Sequence, residues 1–209
     1  MRCFGALRVL NMIIGITGPT GAGKTTALRC LEKMGFAIYD CDAIYHRLLN
    51  ESYELNQAIA LAFPECLING RVDRKKLGSI VFSDDALLLK LNFISHKAVK
   101  EEVMRLITAL PTGSDIAIDA VELISGGLAQ LCDITVAVLA PKGMRIDRIM
   151  QRDNIDRERA TMRVEAQKSD EYYSTNCSSV LFNDCRSEKE FSNKCADLFW
   201  RLKEENTNE

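Results

Sequence analysis

Met12-Ile-Ile-Gly-Ile-Thr-Gly-Pro-Thr-Gly-Ala-Gly-Lys-Thr-Thr26 decides the fold of this chain. Gly18, Gly23, Lys24 and Thr25 stand in the G-x-x-x-x-G-K-[ST] spacing of a nucleotide phosphate loop. Glycines there let the backbone turn tightly and bring its N–H groups against phosphate oxygens, while Lys24 adds a positive charge and Thr25 a hydroxyl for Mg²⁺. The flanks agree with the loop. Residues 12–17 form an apolar run suited to a buried parallel strand, and residues 25–33 carry apolar side chains at helical spacing. The loop therefore opens a helix at the end that stabilises anions, and the N–H groups from Gly21 through Ala22 and Gly23 to Thr26 are expected to hold the phosphates of a nucleoside triphosphate.

Working outward, β-type apolar runs recur at residues 36–39 (FAIY), 115–118 (DIAI), 134–139 (ITVAVL) and 180–182 (VLF), with helical stretches between them. Strands alternating with helices predict an α/β fold, a parallel sheet flanked by helices. Two intervals break the rhythm. Residues 45–110 are mostly helical, with Ser83-Asp-Asp-Ala86 as a helix start and Leu87, Leu88, Leu91 and Ile94 at core spacing. Residues 141–168 are rich in arginine and poor in large apolar side chains, and Arg148, Arg152, Arg159 and Arg163 project from a helical pattern. Such a face is ordinarily only solvated. Beside a phosphate loop it supplies the cations that a triphosphate needs beyond one lysine.

A chain of 209 residues, 47% hydrophobic and 27% charged, fits one compact domain with an adequate core. A net charge of −2 and a pI near 5.8 leave no basic footprint for nucleic acid or an anionic membrane. No apolar stretch is long enough to span a bilayer. The eight cysteines form no C-x-x-C pair and no zinc-ligand spacing, so they are expected to be reduced thiols of a cytoplasmic protein, with Cys41, Cys66 and Cys132 acting as small hydrophobes. Residues 1–11 place a basic residue before an apolar run, but Arg8 and Asn11 interrupt it and the next apolar segment feeds the phosphate loop. They are expected to be an extension rather than a cleaved signal, with Met12 an equally good start. Deleting residues 1–11 is expected to change neither melting temperature nor activity; a fall of several degrees would show that they pack on the core.

After the second strand comes Tyr39-Asp40-Cys41-Asp42-Ala43. Continued extended alternation would put Asp40 and Asp42 on one side, at the carboxyl end of a sheet strand where α/β proteins bind ligands. A carboxylate there can accept a proton from an attacking hydroxyl, and either aspartate can instead cap the next helix. Asp42 is the expected base, with Asp40 in support.

Five ordered segments now resemble one family. They are GITGPTGAGKTT, YDCDAIYH, NGRVDRKKLGSIVFSDDALLLKLNFISHKAV, RIDRIMQRDNIDRERATMRVEAQ and VLFND. Together they are similar to the dephospho-CoA kinases, phosphate-loop enzymes that phosphorylate the 3′-hydroxyl of dephospho-CoA with ATP, the final step of coenzyme A biosynthesis. The resemblance implies a phosphate-loop-type core from residues 12–44, 113–140 and 175–209. It also implies a helical substrate domain over 45–112 and an arginine-rich lid over 141–174. By the same resemblance Asp42 matches the catalytic base, Lys24 the loop lysine and Thr25 the Mg²⁺-binding hydroxyl. Arg148 and Arg152 match the lid arginines, with Arg152 the stronger choice, and Asp73, Arg74 and His96 match positions of the substrate domain. Asp73 and Arg74 could equally be an ion pair, and Asp119, which ends the IAID strand, could serve the metal's outer shell. Three places depart from the family pattern: Val121-Glu-Leu-Ile-Ser125 after the third strand, His96-Lys97 for the usual His-Pro, and Cys177-Ser178 before the last strand. Another small-metabolite or nucleotide kinase with this core is the alternative, followed by a nucleotide-dependent switch. A guanine reader of the N-K-x-D kind is missing, since Asn193-Lys-Cys-Ala-Asp197 has one residue too many.

Overall fold

A computed structural model describes residues 12–68 and 71–207; the expectation for residues 1–11 lies outside the described residues. The chain runs β1 (Ile13–Thr17), α1 (Lys24–Lys33), β2 (Ala37–Asp40), α2 (Cys41–Glu51), α3 (Tyr53–Ala62), β3 (Leu67–Ile68), β4 (Arg71–Val72) and α4 (Arg74–Val81). It continues α5 (Asp85–Ala109), β5 (Ile116–Asp119), β6 (Ile134–Leu139), α6 (Lys142–Asp153), α7 (Arg157–Glu165), α8 (Asp170–Asn176), β7 (Ser179–Phe182) and α9 (Glu188–Thr207). These elements form two compact units. One takes the chain up to Tyr39, Leu110–Ile124 and everything from Ala129; the other takes Asp40–Ala109 and Ser125–Leu128.

The first unit is built on a five-stranded sheet of order β2-β5-β1-β6-β7, in which β1 pairs parallel with β5 and β6, and β6 with β7. All five residues of β1 are buried, as a central strand covered on both faces requires. Ile14, Ile16, Val136 and Val138 pack with Leu31 of α1 and with Phe191 and Phe199 of α9. The strands lie where the apolar runs placed them, within a residue or so, because continuous β-branched runs of this length have no better way to bury themselves. Because β1 lies between strands distant in sequence, its carboxyl end is the switch point where such sheets bind ligands. The arginine-rich interval forms the helical hairpin α6–α7, which turns at Asn154 in the left-handed region and closes over Ile146, Ile149, Ala160 and Val164.

The second unit gathers α2 to α5 around Leu55, Ile59, Phe63, Leu77 and Leu91. Asp84 accepts from the Ala86 N–H at 2.8 Å, so the expected start of the long helix is made by its own carboxylate. Arg47 of α2 reaches Glu102 of α5 at 2.6 Å. Hydrogen bonds from Arg105 and then Arg47 hold the Glu102 carboxyl at about 2, well below its ordinary value. The antiparallel pair β3–β4 interrupts an interval expected to be mostly helical. Its signal was the Asn69-Gly70 dipeptide in the sequence between the two strands. The main segment of this unit runs from Asp40 to Ala109, with Ser125–Leu128 added to it, and the substrate domain expected from the resemblance spans 45–112.

Candidate active site

The phosphate loop is shaped by glycine. Gly18 has φ 134°, and a Cβ on it would lie 2.1 Å from the Val138 carbonyl oxygen. Gly23 has φ 115°, and a Cβ there would lie 2.5 Å from Asn183 Nδ2. No other residue fits either place. Gly23 also caps α1, whose first turn has neither a side-chain cap nor an acidic residue, so no side chain there competes with an anion, while the Thr26 N–H donates to Gly23 O at 3.0 Å. Two carbonyls in this stretch are taken up by side-chain donors. Gly21 O accepts from Arg148 Nη1 at 3.0 Å, and Ala22 O accepts from Asn183 Nδ2 at 2.8 Å and from Arg148 at 3.3 Å. Lys24 Nζ donates across the loop to Gly18 O at 2.7 Å, while Thr25 is exposed. The loop thus offers donors, a cation and a hydroxyl to a polyphosphate, and no carboxylate opposes it from the first turn of α1.

Beside it lies a cavity of about 400 Å³ lined by Gly23, Thr26, Arg148, Asn183, Cys185 and Phe191. That volume suits a small-molecule site. Burial pushes the Cys185 thiol above its ordinary value, as expected of a packed and unreactive side chain. The seven cysteines among the described residues are all free thiols. Asp119 ends β5 in register with Ile16 of β1, at the carboxyl edge of the sheet.

Of the two lid arginines named from sequence, Arg148 touches the loop. Arg152 instead holds Asp153 with two bonds, at 2.7 and 3.0 Å, which raise its pKa, and Arg163 binds the same carboxylate. Sequence patterning passed over Arg145, which is 5% exposed and donates from Nε to Thr20 O at 3.1 Å and from Nη2 to Gln167 Oε1 at 2.8 Å. Burial lowers the Arg145 pKa, with Asp170 acting against it. Gln167 and Asn183 also escaped notice, because each does its work through one long-range bond to loop backbone.

In the second unit the expected alternation of Asp40 and Asp42 along a strand end is overturned. Asp40 Oδ1 accepts from the Ala43 N–H at 2.9 Å, and this cap turns the chain into α2 at Cys41. Asp42 therefore stands exposed in the first turn of a helix, and the capping role belongs to its neighbour. Nor do Asp73 and Arg74 pair with each other. Asp73 caps α4 through the Lys76 N–H at 2.7 Å, and Arg74 donates to Asn50 Oδ1 and, at 3.4 Å, to His46 O. His96 lies half-buried in α5.

Residues 12–189 match the family model described as dephospho-CoA kinase. The chain belongs to the dephospho-CoA kinase family. A dephospho-CoA kinase from Carboxydothermus hydrogenoformans is 35% identical over 159 residues, which cover 74% of this chain and 77% of that protein. One from Fusobacterium nucleatum is 33% identical over 182 residues, covering 86% and 93%. The fold is also that of a solved dephospho-CoA kinase from Campylobacter jejuni, with TM-score 0.66 and 21% identity over 94% of this chain and all of that one (100%). The segment matched to the dephospho-CoA kinase family contains the phosphate loop, Asp42, Arg74, His96, Arg148 and Arg152, together with Arg145, Gln167 and Asn183.

Proposed function

We propose that this protein transfers the γ-phosphoryl group of ATP to the ribose 3′-hydroxyl of dephospho-CoA, giving coenzyme A and ADP. The observation that carries the proposal is the family match across the whole segment from the loop to the start of α9, on a sheet whose central strand ends in a glycine-shaped phosphate loop. The charge of the transferring group is spread over its oxygens in the transition state, so positioning and fixed cations do most of the work. Backbone N–H groups from Gly21 to Thr26 hold the phosphates. Lys24 leaves its resting partner, Gly18 O, for the phosphate oxygens. Arg148 adds charge from the loop's edge and Arg152 from further along α6. Asp42 accepts the proton of the attacking hydroxyl, and Arg74 and His96 serve the acceptor. Bound Mg²⁺, held by the Thr25 hydroxyl and phosphate oxygens, would neutralise charge on the β- and γ-phosphates. The free thiols suit a reducing compartment, and the cytoplasm is the proposed location.

ADP release measured with and without dephospho-CoA tests the proposal, with shikimate, gluconate and AMP as competing acceptors. Release that depends on dephospho-CoA is expected; equal release with another acceptor would give the site to a different metabolite kinase. The lid adds a second test. Arg152→Lys keeps the charge but loses the planar fork, so kcat should fall with little change in KM, as for a contact made in the closed complex. An unchanged kcat would leave the lid's role to Arg148.

A further inference from the structure

Thr20 stands at the tip of the phosphate loop, and both of its backbone polar groups are held by the lid. Its N–H donates to Gln167 Oε1 at 3.0 Å, and its carbonyl accepts from Arg145 Nε at 3.1 Å. The same Gln167 oxygen accepts from Arg145 Nη2 at 2.8 Å, which closes a ring of three groups. Arg145 lies in the first turns of α6 and Gln167 just beyond α7, so the ring joins the two roots of one helical hairpin to one loop residue. Packing leaves it little play: Arg145 is 5% exposed, and a Cβ on Gly21 would come within 2.8 Å of the Arg145 carbonyl oxygen.

A peptide group is planar, so holding an oxygen on one side aims the N–H on the other. Arg145 grips Thr20 O and thereby directs the Gly21 N–H. Gln167 grips the Thr20 N–H and thereby directs Pro19 O, which accepts from the Ala22 N–H at 3.3 Å and closes the turn. Two consecutive peptide planes at the start of the phosphate cradle are thus set by the lid's roots.

We propose that Gln167 is a positioning residue of the phosphate loop. Its side-chain oxygen fixes the Thr20 peptide, aims the following N–H groups at the nucleotide phosphates, and ties that aim to the placement of the α6–α7 hairpin. This rests on the nucleotide-binding assignment of the loop, and not on the identity of the acceptor. Only the oxygen of the carboxamide is used, so Glu in its place keeps the acceptor and gains attraction to Arg145. Met keeps the length and loses the acceptor.

Three measurements on Gln167→Met and Gln167→Glu test this. The first is ATP affinity by calorimetry, the second is KM for ATP and for dephospho-CoA, and the third is amide hydrogen exchange at Thr20 in nucleotide-free protein. With Met, Thr20 exchange should speed up and ATP affinity should fall by about ten- to a hundredfold, with KM for dephospho-CoA and the melting temperature little changed. Glu should recover most of the lost affinity and slow the exchange again. Unchanged ATP affinity with Met would overturn the proposal, as would Glu performing no better than Met, or both KM values and the melting temperature moving together. If the Met variant does not fold, Arg145→Lys takes its place. That ammonium keeps the charge but cannot hold Thr20 O and Gln167 together, and the same selective loss of ATP affinity is expected. Calorimetry and exchange need no turnover, so absence of dephospho-CoA kinase activity in the wild type would defeat the proposed function and still leave these results to decide on Gln167.

Discussion

Asp42→Asn should lower turnover by roughly two to four orders of magnitude while ATP affinity stays near wild type. Asparagine keeps the size and much of the polarity of the side chain, but it cannot take the hydroxyl proton as a carboxylate does. The usual objection to such an experiment is that an aspartate at the start of a helix caps it. Here that task is done by Asp40, through the Ala43 N–H, and Asp42 is exposed one position into α2. A loss of activity in Asp42→Asn therefore has no capping explanation, and the melting temperature should move by no more than a degree or two for a surface change of this kind. Asp40→Asn is the natural companion. It should leave the cap intact, since the two residues cap about equally well. Near-normal turnover in Asp42→Asn would sink its assignment as the base.

Lys24→Ala should abolish measurable turnover with the fold intact. Removal of one strong electrostatic stabiliser raises the barrier by about 3 kcal/mol or more, so activity above about a tenth of wild type would contradict the role. The fold should survive because Lys24 belongs to none of the apolar clusters and sits at the first position of α1, where alanine is the best helix former. Its Nζ donates to Gly18 O at 2.7 Å within the loop, a local contact between residues six apart that ties no two elements of the core together. Circular dichroism and a melting curve separate loss of chemistry from loss of structure.

Most of the sheet was legible because its strands are short, continuous and apolar. The run at 134–139 is strand β6 residue for residue, and β1 differs from its run only by Met12. The loop was legible for a different reason: Gly18 and Gly23 occupy backbone conformations that other residues do not tolerate, so the geometry is written into residue type. The start of α2 was misjudged because strand periodicity carries no information about where a side chain turns back on its own backbone, as Asp40 does. Arg145 was hidden for a similar reason. It lies among several arginines, and what distinguishes it is burial against Thr20 and Gln167, partners 125 and 22 residues away in the chain. Spacing within a helix cannot reveal that.

Asn154 is the one non-glycine residue with positive φ among the described residues, at 51°, and it sits exposed at the far end of the arginine hairpin from the Thr20 ring. Left-handed backbone costs most residues on the order of 1–2 kcal/mol, and asparagine is among the few that adopt it readily. The apolar contacts of the hairpin begin again only at Ile155. An exposed turn between two packed helices is also the kind of place where chains accept extra residues. The hairpin therefore has one end tied to the nucleotide loop and another open to lengthening. Residues inserted at position 154 therefore lengthen the hairpin at the end remote from Thr20, without touching the hydrogen bonds that hold the loop.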